Sequence, residues 1–314
     1  MKEKQADETR ARIIDRELLR TIPLPDYSDD ASKNDYGKLL IVGGSASLPG
    51  AVILACRAAL RCGCGTVRLA TAQSVAIAIA VAVPELMVIA LPETPAGTIA
   101  RAGLETLEKQ YEACQAVVVG PGMGAHAETD HVARAVVANC PLPLLVDAQA
   151  LIALGDGDCG ASKGARVFTP HAGEMAALLN RGVEEIQNDR ETMALDYARE
   201  KQISLVLKGR LSLICDGDGT LYQNTAGTRG LGTAGSGDVL AGAIGGLLAQ
   251  GMNATAAAAW GVHLHAVAGE AAQKDLGDDG MMARDFLERL PQAMRFLRRA
   301  TDTKDVVRTG FRSS

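Results

Sequence analysis

Residues 227–251 read GTRGLGTAGSGDVLAGAIGGLLAQG, and Asp238 is the one carboxylate among nine glycines. Apolar residues at 239, 240, 243, 244, 247 and 248 follow helical spacing, and Gly251 ends the run. The glycine loop therefore opens a helix, where free N–H groups and the helix dipole favour an anion. Gly235, Ser236 and Gly237 leave that backbone bare, so a phosphate could approach without meeting a Cβ. A carboxylate beside a phosphate repels it. Asp238 makes sense there if a substrate hydroxyl must lose a proton while attacking phosphorus. The alternative reading of Asp238 is a helix cap.

The elements that would position this loop are strands read as apolar runs: KLLIV, TVRLAT, ELMVIAL, AVVV, PLLV, RVF and ISLVL. Helical stretches separate them, including 49–63, 101–112 and 126–138. Such alternation predicts an α/β fold of three layers, with a mostly parallel, doubly wound sheet and helices on both faces. LSLICDGDGTLYQN (211–224) predicts a hairpin turning at Asp216 to Gly219. From 235 almost to 300 the pattern is helical. In such sheets ligands sit outside the carboxyl ends of the strands. Five strand ends here run into GGSASLPGA, GPGMGAH, DAQAL, TPHAGE and KGRLS. No G-x-x-x-x-G-K-[ST] occurs, and GPGMGAH completes no dinucleotide fingerprint.

The whole chain narrows the class. Its 314 residues are 47% hydrophobic but only 3% aromatic, so an aliphatic core is expected. A net charge of −5 argues against nucleic acid as a partner. No apolar run suits a membrane span, and the charged N-terminus has no signal-peptide core, which gives a cytoplasmic expectation. The seven cysteines are scattered and read as buried thiols; Cys62 and Cys64 make C-x-C without a second pair. Residues 1–36 read as a charged helix and turn-rich linker, 37–300 as one domain, and 301–314 as a frayed tail. His263 and His265 lie two apart on an Ala-rich helix and read as packing or interface residues. That helix, 254–272, suits either an interface or a core.

The motifs GGSASLPGA, PELMV, GPGMG, VDAQAL, TPHAGE, LKG and GTRGLGTAGSGDVLAG, in that order, resemble the NAD(P)H-hydrate dehydratase family of the ribokinase-like superfold. The resemblance spans roughly residues 35–300. It implies repair of hydrated NADH or NADPH, using ADP or ATP with Mg²⁺, and no metal ligand among the protein side chains is assigned with it. It also implies a homo-oligomer, a tetramer. The family often carries an upstream epimerase domain, for which about 35 residues are too few, so the epimerase is expected in a separate chain. By resemblance Asp238 is the catalytic acid–base residue and also borders the substrate. Gly235, Ser236, Gly237 and the segment Lys208, Gly209, Arg210, Leu211 and Ser212 border the nucleotide. Ala51, Gly124 and His171 border the hydrated substrate. On the residues alone, His171 could be only a turn residue and Lys208 only a surface lysine. The chain departs from the family pattern in two places: 228–238 read TRGLGTAGSGD where N-P-G-M-A-T-G-G-T-G-D is usual, and Gln149 replaces the second acid of D-A-D-A-L. Two further readings remain open, a small-molecule vitamin or sugar kinase and an inactive nucleotide-binding sensor.

Overall fold

The computed structural model describes residues 11–28, 30–157 and 164–301. Ten strands form one sheet: β1 (Arg12–Ile13), β2 (Lys38–Val42), β3 (Thr66–Ala72), β4 (Met87–Leu91), β5 (Ala116–Val119), β6 (Leu144–Val146), β7 (Arg166–Phe168), β8 (Ser204–Leu207), β9 (Ser212–Cys215) and β10 (Leu221–Asn224). Their order is β1-β10-β9-β8-β7-β6-β5-β2-β3-β4. Every pairing is parallel except those of β9 with β8 and β10. β9 and β10 are the expected hairpin.

Central strands are buried on both faces, which is why they read as unbroken apolar runs rather than alternating ones. Leu39, Ile41 and Val118 face one core; Leu40, Val42, Val117 and Val119 face the other. The first core is covered by helices Pro49–Arg61, Ser236–Ala249, Ala254–Leu276, Ala283–Leu287 and Leu290–Thr301. The second is covered by Ala127–Asn139, Gln149–Leu154, Ala172–Leu179 and Arg190–Lys201. The Ala-rich helix is core: Ala256 to Ala266 are all buried, His263 and His265 among them.

The sheet is wound in two directions. From β2 the chain steps outward through β3 and β4, then returns to β5 and steps the other way through β6, β7 and β8. The boundary between β2 and β5 is thus the switch point at which the loops part and leave a crevice.

The charged N-terminal segment differs from expectation. Its helix is short, Arg16–Thr21, with turns after it, and ahead of that helix the segment supplies β1, parallel to β10. The edge of β10 would otherwise be bare, and the pairing covers it while burying Ile14 and Leu19. Trp260 Nε1 donates to the Ile22 carbonyl at 2.6 Å and fixes the segment to the core. Residues 1–10, the tail beyond 301 and Cys159 lie outside the described residues; the other six cysteines are buried free thiols. Among the described residues no helix is long and apolar enough to cross a membrane.

Candidate active site

Helices Pro49–Arg61 and Ser236–Ala249 lie side by side and parallel. Gly242 packs against the Ala55 carbonyl and Gly246 against Ala59, so a Cβ at Gly242 would run into backbone. This close packing brings both helix N-termini to the carboxyl edge of the sheet. Gly235, with φ +85°, is the residue before the second helix, in the left-handed region that favours glycine. Gly235 therefore takes the cap position, and Asp238 stands in the first turn. Among the described residues no hydrogen bond holds the Asp238 carboxylate. Burial, and next the charge of Asp147, push its pKa up to about 7, with Lys208 pulling the other way.

Beside this turn lies a charged triad. Lys208 follows β8, and its ammonium donates to Asp147 Oδ1 at 2.8 Å and lies 3.5 Å from Glu174 Oε2. Asp147 follows β6 and is 2% exposed; Glu174 is 5% exposed. Thr169 Oγ1 also donates to Asp147 Oδ1, at 2.7 Å. Burial works against the ammonium, but Asp147 and Glu174 together hold the Lys208 pKa above its ordinary value. A Cβ at Gly237 would stand 3.5 Å from Lys208 Nζ, so the triad borders the glycine loop directly. Backbone strain marks the same place: Ala148 has φ 50° and ψ −126°, a conformation costing an L-residue about 1–3 kcal/mol. Gly120 must lack a side chain because the Asp147 carbonyl occupies the space its Cβ would take.

The glycine loop is fastened from outside. Gly227 N–H donates to Glu270 Oε1 at 2.7 Å. Asp278 accepts from Thr228 Oγ1, and from Gly230 N–H at 3.0 Å. Ser236 Oγ meets His265 Nε2 at 3.2 Å. Burial lowers the His265 pKa to about 4, so a neutral ring faces the loop.

The switch point forms the second half of the site and is built largely of backbone and hydroxyl groups. Gly44 N–H donates to the Pro121 carbonyl at 2.9 Å, and Ala46 N–H to Gly97 at 2.8 Å, which joins three loops. Beneath them Thr129 Oγ1 donates to Thr98 Oγ1 at 2.7 Å, and Thr94 and Thr98 hydroxyls lie 2.9 Å apart. Gly124, at φ +72°, faces Thr98 and Ser45; Ala51 packs beside Gly122.

The expected site residues thus fall into two groups. Gly235, Ser236, Gly237, Asp238 and Lys208 come together. His171 joins them indirectly: it caps helix Ala172–Leu179, and its N–H donates to Glu174 Oε2 at 2.7 Å. Its ring accepts from the Gly173 and Glu174 N–H groups through Nδ1, while the side chain is 59% exposed. Gly209, Arg210 and Leu211 lie in the β8–β9 turn, and Ser212 opens β9. Ala51 and Gly124 belong to the switch-point group.

Other residues escaped sequence reasoning. Asp147 and Glu174 stood inside quoted motifs without a role. Arg190 was unmarked, yet its Nη2 donates to the carbonyls of Leu207, Lys208 and Leu211 at 3.1, 3.3 and 3.2 Å. A cation in the first turn of its own helix, against the dipole, was the available signal. His265, read as a packing or interface residue, reaches Ser236. Gln149 does not leave a gap in the site: its amide donates to Asp130 Oδ1 at 2.9 Å, where an aspartate would meet a like charge.

Magnesium asks for oxygen ligands in octahedral array, usually one or two carboxylates with water and phosphate. Here two of the three carboxylates at the phosphate end, Asp147 and Glu174, already share the Lys208 ammonium, which leaves Asp238 alone. No group of three or more His, Cys, Asp or Glu among the described residues could hold a metal ion. The side chains do not fit a protein-held magnesium site.

Taken together, a doubly wound sheet with a glycine-capped helix and an acid at its carboxyl edge defines a ribokinase-like α/β protein. The family model for NAD(P)H-hydrate dehydratase matches residues 39–292, and the chain belongs to that family. It is 40% identical over 290 residues to an ADP-dependent (S)-NAD(P)H-hydrate dehydratase of Xanthomonas campestris, covering 90% of this chain and 98% of that one. It is 40% identical over 282 residues to a bifunctional NAD(P)H-hydrate repair enzyme of Moorella thermoacetica, covering 89% of this chain. The chain spans 53% of that relative, about half the length of the bifunctional proteins it matches. Among solved structures, the ADP/ATP-dependent NAD(P)H-hydrate dehydratase of Bacillus subtilis, co-crystallised with ATP/Mg²⁺, superimposes with a TM-score of 0.80 at 26% identity, covering 92% of this chain and 99% of that one.

Proposed function

We propose that this protein dehydrates the S-epimer of hydrated NADH or NADPH, using ADP or ATP. The observation that carries the mechanism is Asp238, half-buried in the first turn of a glycine-capped helix, its pKa pushed up to about 7. The substrate hydroxyl sits on the ring carbon next to nitrogen, and hydroxide is a poor leaving group from it. Asp238 takes the hydroxyl proton as the oxygen attacks the terminal phosphoryl group. The phosphorus–oxygen bond to the rest of the nucleotide breaks, leaving AMP from ADP or ADP from ATP. The ring nitrogen lone pair then expels phosphate, and loss of a neighbouring ring proton restores the carbon–carbon double bond.

The helix N-terminus at 235–238 and Lys208 meet the charge of the transferring phosphoryl. Gly209, Arg210, Leu211 and Ser212 border the remainder of the nucleotide, with Arg190 holding their turn in shape. Ala51, Gly124 and His171 border the hydrated nicotinamide nucleotide. Magnesium bound with the nucleotide would offset phosphate charge, and no side chain of this protein is assigned to hold it.

The R-epimer must be converted to the S-epimer before this reaction can use it, so an NAD(P)H-hydrate epimerase is the functional partner, in the cytoplasm. Self-association into a tetramer has a candidate surface in helix Gln73–Ala82, which bears no charged residue and exposes Ile77 (80%) and Val81 (77%) beside edge strand β4. Size-exclusion chromatography with light scattering tests that assembly. For the reaction, AMP and phosphate are measured after incubation with ADP and hydrated NADPH. Equimolar formation supports the reading, and phosphate release indifferent to the hydrated nucleotide contradicts it.

A further inference from the structure

Two buried carboxylates from different elements, Asp147 after β6 and Glu174 on helix Ala172–Leu179, face one ammonium after β8. Their geometry resembles a cation site rather than a surface ion pair. Each carboxylate has a second anchor that fixes its orientation: the Thr169 hydroxyl on Asp147 at 2.7 Å and the His171 N–H on Glu174 at 2.7 Å. The cation between them lies 2.8 Å from one and 3.5 Å from the other. Its carrier, the Lys208 side chain, is 18% exposed, and its head borders Gly237.

We propose that the Lys208 ammonium is a built-in cation occupying the place between Asp147 and Glu174 that a protein-bound divalent metal would otherwise take, so that magnesium enters this site only with the nucleotide. The physical argument is one of charge. Two buried carboxylates without a cation would be strongly destabilised, and one ammonium offsets half of that charge. A divalent ion added to the same place would put two cations side by side. The ion is therefore excluded while the lysine is present. Incoming nucleotide brings its own negative oxygens, to which magnesium can bind without touching either carboxylate. The strained Ala148 and the side-chain-free Gly120 hold the Asp147 backbone where this pairing requires it. The proposal rests on the dehydratase reading only for where the phosphate lies.

The test is calorimetry and thermal unfolding of the full chain with MgCl2 in the absence of nucleotide, against NaCl at equal ionic strength. The parent is expected to bind no magnesium and to show no shift in Tm. Lys208→Met keeps the length of the side chain and removes the charge. It is expected to bind magnesium at least about tenfold more tightly than the weakest binding the titration detects, equivalent to about 1.4 kcal/mol. Adding Asp147→Asn to that variant should abolish the gain. Lys208→Arg retains a cation and should behave as the parent does. Magnesium binding by the parent that disappears in Asp147→Asn would overturn the proposal, whether or not the methionine variant folds. A folded Lys208→Met that gains no affinity would overturn it too. Neither result depends on turnover. Loss of the dehydratase reading would show as absent AMP formation with the metal titrations unchanged.

Discussion

The two halves of the site solve different problems with different materials. At the nucleotide end, between β6, β8 and helix Ser236–Ala249, charges lie close together: buried Asp147 and Glu174 with half-buried Lys208 and Asp238. At the switch point, between β2 and β5, the walls are backbone, glycine and hydroxyl groups, joined by hydrogen bonds from Gly44 to Pro121, from Ala46 to Gly97 and among Thr94, Thr98 and Thr129. The first half must stabilise charge that moves during phosphoryl transfer, and a low-dielectric surround makes each fixed charge count for more. The second half must fit the shape of a bulky nucleotide. Electrostatics governs one and sterics the other, so substitutions should separate them.

The largest effect is expected at Asp238. Asp238→Asn keeps size but cannot accept the hydroxyl proton, and turnover should fall by about 10²–10⁴-fold. Nucleotide affinity, measured by calorimetry, should stay level or tighten, since a negative charge beside phosphate is lost. A variant with near-parent turnover would remove the catalytic role and leave both halves as binding surfaces.

The same group sets a pH dependence in opposite directions for activity and stability. Activity needs the carboxylate, so kcat should rise with pH through about 7. Stability runs the other way. The folded pKa lies above the ordinary value of 3.8. The folded state therefore keeps a proton that the unfolded chain has lost. The associated stability is complete below the unfolded value and lost as pH rises through about 7. Comparison of Tm for parent and Asp238→Asn should show the variant gaining on the parent from about pH 5 to about pH 8. Parallel Tm curves would mean that Asp238 is not held in the buried environment described.

Glycines sharpen the contrast further. A Cβ at Gly237 meets only the end of Lys208, at ordinary contact distance. Gly237→Val should therefore fold, while weakening nucleotide binding by about tenfold through its branched side chain at the phosphate approach. Gly124→Ala acts in the other half. Its positive φ and its contact with Thr98 should raise KM for the hydrated substrate and leave the Kd for ADP near the parent value. Equal changes in both constants would join the halves that the structure keeps apart.

The smallest effect concerns His171. Removing a helix cap typically costs about 1 kcal/mol, so His171→Ala should lower Tm modestly and raise KM for the hydrated substrate more than for ADP. His171→Asn can still cap. If it restores both Tm and KM, the ring is a cap alone; a KM that stays high places the ring against substrate.

How much of this was legible beforehand follows the same division. The central strands were readable because burial on both faces leaves unbroken apolar runs, and the glycine loop was readable because glycine clusters are costly without a purpose. Lys208 and Asp147 stand 61 residues apart, and no local pattern announces their pairing. Arg190 caps a turn that follows it by some twenty residues in sequence, which only the folded chain reveals. In the N-terminal segment the helix was legible but strand β1 was not, because two residues pairing with the edge of β10 leave no pattern of their own. His265 read as a packing or interface residue, and it is buried; what the sequence hid was that Ser236 faces it.

The central claim is that this site couples phosphoryl transfer to dehydration of a reduced nicotinamide nucleotide. Its most direct measurement is the recovery of near-ultraviolet absorbance when purified protein meets hydrated NADPH with ADP, with ATP, or with neither. The account predicts recovery only when a nucleotide is present, with one phosphate released per NADPH restored. Recovery without nucleotide, or none with ADP or ATP, would contradict it.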